Sequence, residues 1–245
     1  MMTNNKTIAL VTGANQGIGL AISKILSRDH GYHVIMAGRR EQAVSEAVEQ
    51  LLEQKLDVEP LILDLESDKS IDAAVEYVQS KFGYLDVLVN NAGIARVSPP
   101  PSSSRVTYEQ LLGTNVVGTM SVTEKFLPLL AKSQQTKRVV FVSSGAGSMT
   151  RWATLGSETR KFKAPAYAVS KSALNALALQ YAVEYEEDRN WKFNLCCPGF
   201  CSTNLNGFRG TNAPETGAEI ACHLATLGKD GPTGTYVNSA GTIPW

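Results

Sequence analysis

The chain has 245 residues, 43% hydrophobic and 19% charged, which is enough to bury a core without disulfide or metal staples and suits one sizeable domain. Lys plus Arg and Asp plus Glu number 23 each, so no net field draws the protein to nucleic acid or to an anionic membrane. Small neutral or locally charged ligands remain as partners.

The first apolar run, in MMTNNKTIALVTG, is too short before its glycine turn for a signal peptide or a membrane span, and a soluble cytoplasmic protein is expected. Apolar runs of strand length then recur at 7–12 (TIALVT), 33–38 (HVIMAG), 58–64 (VEPLILD), 85–90 (LDVLVN), 138–144 (RVVFVSS), 192–197 (KFNLCC) and 234–238 (GTYVN), with stretches of helical period between them. Runs such as RVVFV show no polar alternation and need cover on both faces. That strand–helix rhythm predicts an α/β fold, a single domain over 1–245 with a doubly wound sheet of about seven parallel strands flanked by helices. Ligands of such a sheet sit at the carboxyl ends of its strands.

Between the first strand and first helix, VTGANQGIGLAIS places Gly13, Gly17 and Gly19. Glycine there lets backbone N–H groups and the positive helix end approach a pyrophosphate. The spacing is G-x-x-x-G-x-G rather than G-x-G-x-x-G, so its strand–turn–helix position carries the reading. About 20 residues on, where an NAD site carries an acid for the ribose 2′-hydroxyl, the chain reads AGRRE, with Arg39 and Arg40 first past the strand. A guanidinium binds a 2′-phosphate bidentately where an acid would repel it, so NADP(H) is predicted. Two solvated arginines beginning a helix would give the same letters.

Two long loops interrupt the rhythm. One, 93–104 (GIARVSPPPSSS), carries three prolines and ends in serines suited to N-cap a helix, and the other spans 143–165. Cys196, Cys197 and Cys201 crowd one segment without a paired C-x-x-C pattern and Cys222 stands alone, which argues against a disulfide framework or zinc site; no metal is expected.

In AYAVSKSAL (166–174), Tyr167 and Lys171 share a helical face with Leu174, Ala178 and Tyr181, with Leu177 at its edge. A lysine on a core-facing stripe is costly unless its ammonium is paired or reaches solvent or ligand. A cation one turn from a phenol favours the phenolate and is expected to lower the tyrosine pKa toward neutrality. A partly exposed Tyr beside a snorkelling Lys fits the same four-residue spacing.

Six ordered motifs, TGANQGIG (12–19), NNAG (90–93), Asn115 in NVVG, the serine pair 143 and 144, YAVSK (167–171) and PGFCST (198–203), make the whole chain resemble a short-chain dehydrogenase/reductase with a Rossmann-type fold. CCPGF, the extra residues between serine and tyrosine, and PETGAE resemble the carbonyl reductase branch, which has monomeric members. The resemblance implies that Tyr167 donates a proton to a carbonyl oxygen held by Ser144, with Ser143 as the alternative serine. It implies too that Lys171 binds the nicotinamide ribose and depresses the tyrosine pKa, and that Asn115 anchors a water relaying protons to Lys171. For the cofactor it implies contacts from Gly13, Asn15, Gln16, Gly17, Ile18 and Gly19, from Asp64 and Leu65 near the adenine, and from Asn91, Ala92 and Gly93. Tyr167, Lys171, Pro198, Gly199 and Thr203 complete the set. Asp64 could equally cap the next helix. Gly113, Asn115 and Gly118 are poor helix formers in a helical stretch, consistent with a local distortion there. Gln16 departs from NADPH-binding relatives, which often carry a basic residue at that position, and leaves cofactor choice to Arg39 and Arg40.

The function expected is NADPH-dependent reduction of a ketone or aldehyde to an alcohol. The pocket would be built by loops 93–104, 144–166 and 198–213, with Trp152, Leu155, Phe162, Phe200 and Phe208 as an apolar wall. The alternatives are an NAD(P)-dependent alcohol or hydroxysteroid dehydrogenase working oxidatively, and a non-catalytic nucleotide sensor. The insertion between serine and tyrosine can obstruct the face through which relatives form tetramers, so monomer or dimer is expected.

Overall fold

A computed structural model describes residues 6–96 and 103–245. Eight strands form one sheet in the order β3-β2-β1-β4-β5-β6-β7-β8. They are β1 (Ile8–Thr12), β2 (His33–Gly38), β3 (Val58–Ile62), β4 (Val87–Asn90), β5 (Lys137–Val142), β6 (Trp191–Cys196), β7 (Tyr236–Asn238) and β8 (Gly241–Thr242). The first seven pair in parallel as expected, within about two residues of the sequence-based bounds. The correction is β8, which turns back antiparallel on β7. Two residues carry no periodicity to read.

Among the described residues there are eight α-helices: α1 (Gly17–His30), α2 (Glu41–Glu53), α3 (Asp68–Lys81), α4 (Ser104–Leu112), α5 (Thr119–Ala131), α6 (Met149–Ala153), α7 (Pro165–Glu184) and α8 (Pro214–Ala225). Alternate strand residues enter two separate apolar clusters, one on each face of the sheet. Leu10, Ile35, Leu88, Phe141 and Phe193 meet Phe126 of α5 and Leu174 of α7. Val11, Met36, Val89 and Val140 meet Ile22 of α1, Val44 of α2 and Ala221 of α8. This two-sided burial is why the strands read as unbroken apolar runs. Pro60 lies in β3, which pairs only with β2, so its missing N–H faces the sheet edge where a proline is tolerated.

Strand order reverses between β1 and β4, both of which lead away from the centre of the sheet, and the crevice at that point is where such folds bind ligands. Ser103 caps α4 by accepting from the Val106 N–H at 3.4 Å, as the serine run of the 93–104 loop suggested. Residues 97–102 of that loop lie outside the described residues. The expected loop over 143–165 is a correction: it folds into short 3-10 turns (Gly145–Gly147, Glu158–Lys161) on either side of α6. The local hydroxyls do this, since Ser144, Ser148 and Ser157 each accept a backbone N–H at the start of a turn. No helix among the described residues is long and apolar enough to cross a membrane.

Candidate active site

The turn after β1 holds Gly13 and Gly17 in the left-handed region, at φ 64° and 55°. A Cβ on Gly19 would collide with the Gly13 carbonyl, so only glycine lets α1 start flush against the turn. Gln16, the N-cap, places no side chain on the first-turn N–H groups of α1, leaving them open to an anion. Asn91 ties the turn to the end of β4, its Nδ2 donating to the Thr12 and Gly13 carbonyls at 2.8 and 3.2 Å.

A cleft of about 750 Å³ opens above these strand ends, a volume ordinary for a cofactor and small substrate together. Gly13, Asn15, Gln16, Gly17, Ile18 and Gly19 form its floor. Arg39 and Arg40 stand beyond β2, Asp64 and Leu65 beyond β3, and Asn91, Ala92 and Gly93 beyond β4. Tyr167 and Lys171 of α7, with Pro198 and Thr203 beyond β6, close the far side. Gly199 is the exception: at φ 81° it faces the Asn212 side chain and does not line the cleft. Glu66, Ile94, Arg96, Thr114, Asn204 and Leu205 line it without having been singled out from the sequence. Most of them flank motif residues, and proximity to a motif was the one available signal.

Both arginines are exposed at the cleft mouth, and among the described residues neither takes part in an ion pair. Two unneutralised guanidinium groups beside an uncapped helix start fit the 2′-phosphate and pyrophosphate of NADP(H). Asp64 does not cap the next helix, a role taken by Ser67, which accepts from the Ser70 N–H. The Asp64 carboxylate accepts instead from the Glu66 N–H at 3.1 Å and remains in the cleft wall.

The chemical centre lies where α7 meets the end of β5. Between α4 and α5 the helix widens into a π-turn over Gly113–Gly118, the distortion its glycines suggested. It carries Asn115 into the interior, where Oδ1 accepts from the Ile94 N–H at 2.8 Å and Nδ2 donates to the Ile94 carbonyl and to Ser170 Oγ at 2.8 and 3.0 Å. Lys171 is buried, its Nζ donating to the Val142 carbonyl at 2.9 Å, and burial pushes its pKa down to about 8. Asn115 and Lys171 both crowd Gly93 from the same side, so the ammonium and the π-turn share one corner of the cleft.

The Ser143 hydroxyl is buried and donates to Asn175 Oδ1, whereas Ser144 Oγ accepts from the Ala146 N–H at 3.2 Å and lies near enough to the Tyr167 phenol to act on its ionisation. Ser143, and not Ser144, is among the residues that line the cleft. The expected lowering of that phenol is a correction. Burial pushes Tyr167 up to about 12, against the opposing influence of the nearby Ser144 hydroxyl. Lys171 Nζ lies 5.8 Å from the Tyr167 ring centroid and is turned to Val142, so its charge does not offset desolvation. The arrangement is a neutral phenol and a buried amine on a nucleotide-shaped cleft, with the Ser144 hydroxyl near the phenol. Such a set can hand a proton to an oxygen that gains electrons.

Of the expected apolar wall, Phe162 sits beside the site, its ring 6.1 Å from that of Tyr167. Trp152 instead anchors its own turn by donating from Nε1 to the Ala146 carbonyl at 2.7 Å. Leu155 and Phe208, 85% and 67% exposed, stand outside the cleft, and Phe200 is half-exposed. All four cysteines are free, and Cys197 Sγ accepts from the Gly145 N–H at 3.0 Å.

A family profile described as short chain dehydrogenase matches residues 7–213. The short-chain dehydrogenase anuI of Penicillium roqueforti is 38% identical over 232 residues, covering 93% of this chain and 92% of its own. Carbonyl reductase (NADPH) 1 of Rattus norvegicus is 32% identical over a 280-residue alignment covering both chains in full. Among solved structures, salutaridine reductase from Papaver somniferum superposes with a TM-score of 0.81 at 28% identity, covering 94% of this chain and 99% of that one. With the sheet order, the glycine turn and the Tyr–Lys pair on one cleft, these matches show that the chain belongs to the short-chain dehydrogenase family.

Proposed function

We propose that the protein reduces a ketone or aldehyde to an alcohol with NADPH. When bound, the cofactor supplies the hydride that the carbonyl carbon receives. Tyr167 gives its phenolic proton to the carbonyl oxygen, and Ser144 holds that oxygen by hydrogen bonding. Lys171 binds the nicotinamide ribose with its ammonium and, with Asn115, replaces the proton on Tyr167. Ribose 2′-phosphate recognition falls to Arg39 and Arg40, and the adenine lies against Asp64 and Leu65. The single observation that carries this reading is the phenol of Tyr167, protonated by burial and open to the same cleft as Lys171 and the uncapped helix start. A carbonyl reductase among the full-length relatives supports the direction of the reaction and the choice of NADPH.

The described parts of the segments 93–96, 144–166 and 198–213 border the substrate, and Phe162 beside Tyr167 favours a carbonyl on an aromatic or mixed apolar body. The protein works as a monomer or dimer.

A panel of ketones and aldehydes followed by NADPH absorbance tests the reading. Turnover is expected on aromatic members, and Tyr167→Phe should lower it by about 10²- to 10⁴-fold while NADPH affinity holds. Binding of NADPH without turnover on any carbonyl would return the protein to the class of nucleotide sensors. A Tyr167→Phe variant with near-normal turnover would remove the phenol from the mechanism.

A further inference from the structure

The loop that carries Ser144 has little reason of its own to be rigid. It holds two glycines and a single 3-10 turn, yet it must keep a hydroxyl within hydrogen-bond range of Tyr167. What immobilises it comes from two elements distant in sequence.

Tyr236 of β7 is 1% exposed, and its hydroxyl donates to the backbone carbonyl of Ser144. The side chains of Ser143 and Asn175 lie beside the same hydroxyl. Asn175, one turn beyond Lys171 on α7, accepts from Ser143 through Oδ1 and donates to the Gly147 carbonyl through Nδ2 at 3.2 Å. A Cβ on Gly147 would stand 2.9 Å from that Nδ2 and from the Lys171 carbonyl, so the loop lies directly on the helix. Further along, Ser148 Oγ donates to the Pro244 carbonyl at 2.5 Å and the Thr150 N–H to the Trp245 carbonyl at 2.7 Å. The Tyr236 ring packs 5.6 Å from that of Trp245, joining these contacts into one brace.

Resting on the function proposed above, we infer that Tyr236, with Asn175 as its partner, is the positioning residue for Ser144: its buried hydroxyl fixes the Ser144 peptide against α7. Neither residue is among those that line the cleft, and both act on the loop that carries Ser144. Burial pushes the Tyr236 phenol up, which keeps the proton it donates. Sub-ångström drift of a catalytic group is enough to slow a reaction whose geometry is preorganised.

Tyr236→Phe removes one hydroxyl and keeps the ring against Trp245. It is expected to lower kcat for carbonyl reduction about tenfold. The NADPH dissociation constant by fluorescence titration and the melting temperature should stay near those of the parent. Because Ser144 holds the phenol of Tyr167 down, its displacement should move the kinetic pKa of alcohol oxidation upward. Asn175→Ala, which frees Gly147 from α7, should shift kcat and that pKa in the same sense. Unchanged kcat and pKa in both variants would overturn the inference. So would a fall in melting temperature that weakens NADPH binding in step with turnover, which marks general damage. Tyr167→Phe, measured alongside, separates the two levels. If it stays active the catalytic reading fails, and if it is inactive while Tyr236→Phe is normal, only the brace fails.

Discussion

Tyr167 and Lys171 were recognisable as a pair because a phenol and an ammonium four residues apart do not belong on an apolar helical face. Their ionisation states were not recognisable. Helical spacing puts two side chains on one face but does not say where their tips point, and here Lys171 turns to the Val142 carbonyl. Burial therefore acts on each group alone, raising the phenol to about 12 and lowering the amine to about 8. A neutral phenol at physiological pH is the form needed by a general acid in reduction. Arg39 and Arg40 carry a second consequence at this scale. Replacing both by Ala should raise KM for NADPH about ten- to a hundredfold, the loss of charge-assisted hydrogen bonds, and leave KM for NADH nearly unchanged. Steady-state kinetics with the two cofactors checks this, and an equal effect on both would show that the arginines do not read the 2′-phosphate.

Among the elements, the π-turn and the β2–β3 edge show how local sequence and packing divide the work. Gly113 and Gly118 signalled a weak helix, and the π-turn at Gly113–Gly118 is the result. That it would aim Asn115 at Ile94 and Ser170 depended on how α7 packs beside it. At the open end of β2, His33 is held between two carboxylates of the β3 side. Its Nδ1 lies 2.8 Å from Asp57 and its Nε2 3.2 Å from Glu59, with Lys6 and Lys81 completing the cluster and Phe82 against the ring. Glu59 first, and then Asp57, hold the imidazolium form and raise its pKa, burial opposing them. A raised histidine stabilises the fold fully below the unfolded value of about 6.5 and loses that contribution as pH climbs through the folded value. The melting temperature of the parent should therefore exceed that of His33→Gln most clearly near pH 6, and the gap should narrow toward pH 9. Scanning calorimetry across that range measures it, and a gap independent of pH would refute the ion cluster as its source.

For the whole molecule, the placement of the cleft follows from strand order. Parallel strands with covering helices leave one crevice where the order reverses, and every motif that follows β1, β4, β5 or β6 arrives there. The carboxyl-terminal hairpin of β7 and β8 extends this plan, because it reaches back to brace the Ser144 loop. The segment between that loop and α7 folds into α6 and a 3-10 turn at the entry to α7, bulk that fits the proposed monomer or dimer. Light scattering on the purified protein should accordingly give the mass of one or two chains, and a four-chain mass would contradict it.

The glycine turn, the seven parallel strands, the nucleotide cleft and the Tyr–Lys pair that lines it were legible because each depends on short-range chemistry: a backbone that needs glycine, unbroken apolar runs, a polar pair on an apolar stripe. The high pKa of the phenol, the outward turn of Gly199 and the brace from Tyr236 were not legible. Each depends on which atoms residues 13 to 92 positions apart bring within a few ångströms, as Gly199 meets Asn212, Ser143 meets Asn175 and Ser144 meets Tyr236. Such contacts, and the desolvation that accompanies them, exist only once the sheet and helices have closed around the site.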